Sequence, residues 1–331
     1  GGPATKVEEI VVTAQRREER LQDVPMAVSA FSSDQIEARG IENVSDLNAL
    51  APGLQISQTI SNTTISQISI RGITQINPAI YWDPAVGVYV DGVYIGKSQG
   101  GIFNVVDLER VEVLRGPQGT LYGRNTLAGA INLVTRRPSG VFSGQASLDI
   151  GNYNAMVQKV SVDLPQIGNA RISLAARSER RDGWVKTDRL SSRQDLNNRA
   201  NDGFRLAVDY DLSDTLLAEY RFDHSNVDQS NNFTQLVATD DPVLQPFVST
   251  ERRNRASVNA PSFEQARILG HSLTLTQGVG DFELKSITGY RKLEWNDSLD
   301  LEGSPLPDPG HRRWREHPTN ETYPPPVRPS K

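Results

Sequence analysis

The chain has 331 residues, 37% of them hydrophobic and 23% charged, with a net charge of −5, four histidines and no cysteine. That composition is ordinary for a folded protein and too apolar for general disorder. The acidic balance argues against a nucleic-acid binder, and without Cys there are no thiolate metal sites or Cys nucleophiles. No run of about 18 uninterrupted apolar residues occurs, so no transmembrane helix is expected, although alternating barrel strands would escape that test. The chain opens GGPATK without Met, which reads as a processed or truncated start.

The first element is EEIVVTA at 8–14, a β-branched run just ahead of the charged segment QRREER. An exposed strand invites pairing with another chain. Two readings are open: a partner pairs with it, or it is the domain's own first strand. From about 22 to 138 the pattern is mixed. SSDQIEARG (32–40) predicts a short helix capped by Ser33 or Asp34 and ending near Gly40, and VSDLNALAPG (44–53) predicts a second, capped by Ser45. Short strands follow at 68–70, 86–96 and 111–116. Asp91-Gly92 between VYV and VYI predicts a tight hairpin turn of type I′. Gly116, Gly119, Gly123 and Gly129 supply tight backbone. That glycine run lacks the Gly-Lys-Ser/Thr ending of a phosphate-binding loop.

From about 143 to 300 the period becomes two. Phe204, Leu206, Val208, Tyr210 and Leu212 alternate with Arg205, Ala207, Asp209 and Asp211, and similar runs give about seven strands. A soluble sandwich gives this pattern as well as a membrane barrel. Long strands, tight turns at 211–216 and 277–282, and long connections at 181–199 and 226–264 favour the barrel. Alternation stops near 303, and residues 304–331 hold eight of the nineteen prolines. A Pro-rich tail outside the sheet is expected, with an out-of-frame origin as the sharper alternative.

Read in order, EEIVVTAQRREERLQDVPMAVSAF, LNALAPGLQI, ISIRGI, VGVYVDGVYIG and LERVEVLRGPQGTLYGRNTLAGAINLVTRRP resemble a TonB-dependent outer-membrane receptor, and GNYN and RDGWVK continue the likeness. The resemblance implies a TonB box and linker at 1–21, an α+β plug domain at 22–138, the N-terminal portion of an antiparallel transmembrane β-barrel at 139–302, and the Pro-rich tail at 303–331. It implies that TonB pairs with residues 8–14 by strand addition, with Ile10, Val11, Val12, Thr13 and Ala14 carrying the contact. Arg71 and Arg115 match positions of plug–barrel contacts, or else pair within the plug. Tyr81 and Trp82 are candidates for a ligand-facing plug loop, with a packed loop as the alternative.

A plugged transporter needs about 22 strands, and too few residues follow 138 to supply them. The barrel is therefore expected to be incomplete, and the chain to be an N-terminal fragment that neither closes a pore nor transports alone. The function implied is energised uptake of a scarce nutrient, such as a ferric siderophore, across the outer membrane of a Gram-negative bacterium, with outer-membrane lipid as a further partner. The alternative is a soluble periplasmic module that binds TonB. No nucleic-acid partner, metal or cofactor is implied. No Ser/His/Asp or paired-carboxylate arrangement points to an enzyme.

Overall fold

The computed structural model describes residues 11–13, 17, 19–41, 44–48, 50–59, 64–75, 82–98, 107–187, 195–256, 262–298 and 303–306. Its N-terminal domain holds β1 (Val11–Val12), β2 (Glu19–Arg20), β3 (Val28–Ser32), α1 (Ser33–Ala38), β4 (Leu54–Gln58), β5 (Ser66–Ile70), β6 (Ile73–Thr74), β7 (Val86–Val90), β8 (Val93–Ile95), β9 (Leu108–Arg115), α2 (Gly119–Tyr122) and β10 (Gly129–Thr135). Then come β11 (Ser143–Gly151), β12 (Ala155–Asp163), β13 (Ala170–Arg181), β14 (Lys186–Thr187), β15 (Arg199–Ser213), β16 (Leu216–Gln229), β17 (Arg255–Ala256), β18 (Phe263–Val279) and β19 (Phe282–Ser298).

In the N-terminal domain a five-stranded sheet runs β3-β9-β10-β7-β8, and a three-stranded sheet runs β4-β5-β6. Only the β10–β7 pair is parallel in these two sheets. Apolar residues of both sheets and α1, among them Ile36, Leu54, Ile70, Val88, Val111 and Ile131, bury one core. The expected hairpin is present: Asp91 and Gly92 both have positive φ (48° and 80°), as a type I′ turn requires.

Two local expectations are corrected. The cap of α1 is Ser32, not Ser33 or Asp34, and its N–H donates to the Gln35 side chain at 3.3 Å. The second predicted helix is only a 3₁₀ turn at Val44–Leu47. The Asn48 carboxamide oxygen instead accepts from the Ile56 N–H at 2.9 Å, which draws the chain towards β4.

The second body is one seven-stranded antiparallel wall, β11-β12-β13-β15-β16-β18-β19, in which each strand pairs with the next. Its burial runs opposite to that of a sandwich. Along β15, Gly203, Arg205, Ala207 and Asp209 are buried, while Phe204 and Tyr210 are exposed and Leu206 and Val208 are partly exposed. Across the strands, Asp163, Ser173, Ala207, Arg221 and Ser272 stand in register and are all buried. The neighbouring outward row is Val162, Leu174, Leu206, Phe222, His271 and Tyr290. A sheet with a polar buried face and an apolar outer face suits lipid on the outside. The strands reach 17 residues, longer than the alternation implies.

The wall's connections are unequal. Two-residue turns join β15 to β16 and β18 to β19, whereas β13–β15 and β16–β18 are joined by long segments. Those segments are not merely polar. β14 pairs with β17 in parallel over an apolar cluster of Val185, Leu196 and Ala256, and the Arg252 guanidinium lies 4.2 Å from the Trp184 ring centre. Of the tail, only residues 303–306 are described, and they form no strand.

Gly129 shows how tightly the N-terminal sheet closes. Its φ is +156°, and a Cβ there would lie 2.2 Å from the Leu114 carbonyl oxygen. Gly129→Ala is expected to cost at least about 2 kcal/mol through strain and forced strand separation. Faster amide exchange along β9 and β10 would report it.

Candidate functional site

Thr13 follows β1 directly, and the domain holds it on every side. β1 pairs with β2, Val11 opposite Arg20 and Val12 opposite Glu19. Val12 is fully buried among Val24, Ala30, Tyr89, Leu114, Tyr122 and Ala130. The Thr13 N–H donates to Glu112 Oε1 at 2.8 Å, and its hydroxyl donates to the same oxygen at 3.1 Å. The Asn132 amide donates to Thr13 Oγ1 at 3.0 Å, and the Tyr122 hydroxyl donates to the Thr13 carbonyl at 3.4 Å. Arg110 pairs with Glu112 at 2.8 Å. Glu112 and Asn132 lie directly opposite each other on β9 and β10, so one rung of the ladder supplies both arms of the clasp.

A buried carboxylate is costly unless it is paired and hydrogen-bonded, and Glu112, fully buried, meets that demand with Arg110, Asn132 and Thr13. β1 thus has a partner strand in β2, in a two-stranded sheet of its own. Pairing with an outside partner requires that this clasp open. Ile10 and Ala14 lie outside the described residues.

A second polar cluster joins the domain to the wall. Arg205 of β15 donates to Thr135 Oγ1 at 2.7 Å and to the Arg136 carbonyl at 2.6 Å, and it pairs with Asp107 at 3.3 Å. Arg136 pairs with Asp107 at 2.9 Å and with Asp163 of β12 at 2.5 Å. Partial burial of Arg136 works against its charge, but the two carboxylates outweigh it and hold the guanidinium above its ordinary pKa. Arg137 pairs with Glu219 of β16 at 3.4 Å. At the other end of the wall, the buried Glu264 of β18 accepts from the Thr64 N–H at 3.1 Å and also from its hydroxyl.

The arginines singled out in the sequence sit elsewhere. Arg71, with φ 54°, donates its N–H to the Gly53 carbonyl at 2.9 Å, and its guanidinium passes beside Gly116. Arg115 adjoins Gly116, and its Nε is buried with no hydrogen-bond partner among the described residues. The two are thus neighbours on one end of the domain. The ion pairs to the wall named above use Arg136, Arg137 and Arg205 instead. Trp82 is exposed, and the adjacent Asp83 lies near Lys97 and Arg124; Tyr81 is outside the described residues. Asn231 of the long connection ties the wall together, donating to the carbonyls of Phe263 and Ser298.

Glu112 had a signal in the sequence: a carboxylate inside the apolar run VEVL, next to an arginine. Asp107 and Arg205 had none beyond their charge.

Loss of the clasp is open to measurement. Glu112→Ala leaves the Thr13 N–H without its acceptor and Arg110 with Glu109 as its remaining ion-pair partner, which is expected to cost less than the ~3–5 kcal/mol of a fully stranded buried charge. The Thr13 amide should then exchange far faster than the amides of β7, whereas Tyr122→Phe, which removes one long hydrogen bond, should change it only slightly.

Comparison with known proteins gives this arrangement a context. Residues 20–130 match the family described as the TonB-dependent receptor plug domain. The pesticin receptor of Yersinia pestis is 32% identical over 157 residues, which are 47% of this chain and 23% of that receptor. The vitamin B12 transporter BtuB of Vibrio vulnificus is 33% identical over 147 residues, 43% of this chain and 23% of the transporter. The chain thus spans about a quarter of the length of these curated relatives. Among solved structures, the ferric yersiniabactin uptake receptor FyuA of Yersinia pestis superposes with a TM-score of 0.71 at 21% identity, covering 83% of this chain and 42% of that one. The pyoverdine receptor FpvA of Pseudomonas aeruginosa gives 0.65 at 16% identity, covering 86% and 40%. The N-terminal domain matches the TonB-dependent receptor plug domain, and the chain shares the fold of plug and barrel strands found in receptors of that kind.

Proposed function

We propose that the chain serves energised uptake of a scarce nutrient, of the iron-chelate kind, across the outer membrane of a Gram-negative bacterium. The observation that carries this reading is the wall, which buries its charged face on the plug and turns Phe204, Tyr210, Leu273 and Leu284 outward. That outer face suits lipid and does not suit the alternative, a soluble periplasmic module. The relatives are named as receptors and transporters, which supports transport without bond chemistry.

In this reading residues 1–21 are the box and leash, 22–138 the plug, and 139–302 barrel. Ile10, Val11, Val12, Thr13 and Ala14 form the strand that TonB takes, and a ligand arriving from outside favours the state in which Thr13 has left Glu112. Backbone hydrogen bonds shared along such a strand suit a pull. Arg71 and Arg115 retain their proposed role at the plug–barrel boundary. Tyr81 and Trp82 remain the proposed ligand-facing pair.

Capture by the immobilised periplasmic domain of TonB tests the reading. The chain in detergent should be retained, Val12→Pro should not be, because it removes a backbone donor, and Glu112→Ala should be retained more strongly than the parent. Equal retention of the parent and Val12→Pro would overturn it.

A further inference from the structure

We propose that Arg205, a residue of the barrel wall, is a positioning residue that keeps the Thr13 clasp closed. The β9–β10 ribbon joins the two places. Its register pairs Thr135 with Leu108 at one end and Asn132 with Glu112 a few residues along. The second pair holds Thr13. The first is the end that Arg205 grips, since its guanidinium fork takes Thr135 Oγ1, the Arg136 carbonyl and the Asp107 carboxylate together. Arg205 and the Asp107–Arg136 pair thus clamp both strands of the ribbon where they meet the wall.

The ribbon is irregular there. The β9–β10 register slips between Val134 and Thr135, so one strand carries an extra residue at the clamped end. Such an irregularity breaks regular pairing locally and re-aims the residues beside it. Thr135 is also tied to the hairpin turn, its N–H and hydroxyl donating to the Asp91 carboxylate at 2.9 and 2.8 Å. Asp107 has φ +65°, its carbonyl accepts from the Arg136 N–H at 2.9 Å, and its carboxylate pairs with Arg136 and Arg205. With Arg205 in place, the slipped end is fixed and Glu112 faces Asn132 around Thr13. Without it, the end keeps its ties to Asp91 and the Asp107–Arg136 pair but loses its anchor to β15, and the loosened ribbon lets the two arms of the clasp draw apart.

The purpose of this coupling rests on the reading of residues 10–14 as the segment TonB takes; the coupling itself does not. The chain has no native cysteine, so single reporters are clean. Val12→Cys, at a fully buried position, reports opening of the clasp, and Val44→Cys, equally buried in the main core, reports general loosening of the plug. The full chain in detergent is treated with a soluble thiol reagent. Arg205→Ala should raise the Val12→Cys modification rate at least tenfold and leave the Val44→Cys rate within twofold. Asp107→Asn, which keeps size and removes two ion pairs, should give the same selective rise and stands in should Arg205→Ala not fold. An unchanged Val12→Cys rate, or an equal rise at both reporters, would overturn the proposal. TonB capture, run without the cysteines, separates the two claims: a selective rise with no capture of any variant leaves the coupling standing and removes the uptake reading.

Discussion

The burial of charge between plug and wall is the constraint from which the rest of this structure follows. Asp163, Arg205, Arg221, Glu219 and Glu264 are buried and Asp107 partly so, and buried charge is tolerated only when it is paired or hydrogen-bonded. Each partner must therefore be in place. That requirement fixes the plug against the strands more strictly than apolar packing would, because an ion pair displaced by a few ångströms leaves both charges stranded. The inner face of the seven strands is largely polar, with Ile268 and Leu293 joining the plug core, so the plug supplies most of what a hydrophobic core supplies elsewhere.

The same constraint explains why the N-terminal segment has a fixed place. Glu112 needs donors, and β1 delivers two of them at Thr13. The docking is polar at Thr13 and apolar at Val12, which is fully buried. A contact of this mixed kind is specific while it is made. It is also reversible, because every group it releases finds water or the remaining members of the rung.

Local features were legible in the sequence. Asp91-Gly92 announced its turn because positive φ at two successive residues narrows the choice of amino acids. The period of two announced the wall strands, and their turns followed from where it broke. What alternation does not carry is which face is inside. The residues along β15 read as a half-buried sheet either way, and only the plug shows that Arg205 and Asp209 are the buried ones. The clasp and the clamp escaped for another reason: Thr13 lies 99 positions from Glu112, and Asp107 lies 98 from Arg205. Nothing local records a pairing over such distances. The 44–53 helix failed because Asn48 spends its side chain on Ile56, a tertiary contact that propensity does not see.

The inverted wall has a consequence for how this sequence can drift. Lipid is a fluid that fits any shape, so outward positions such as Leu206, Val208 and Phe222 need only be apolar, and exchanges among Leu, Ile, Val and Phe there are close to neutral. The intervening positions answer to single atoms on a folded neighbour. A change at Arg205 or Asp163 calls for a matching change on the plug, so those positions evolve in pairs or not at all. Within one strand, alternate residues thus keep two different evolutionary clocks.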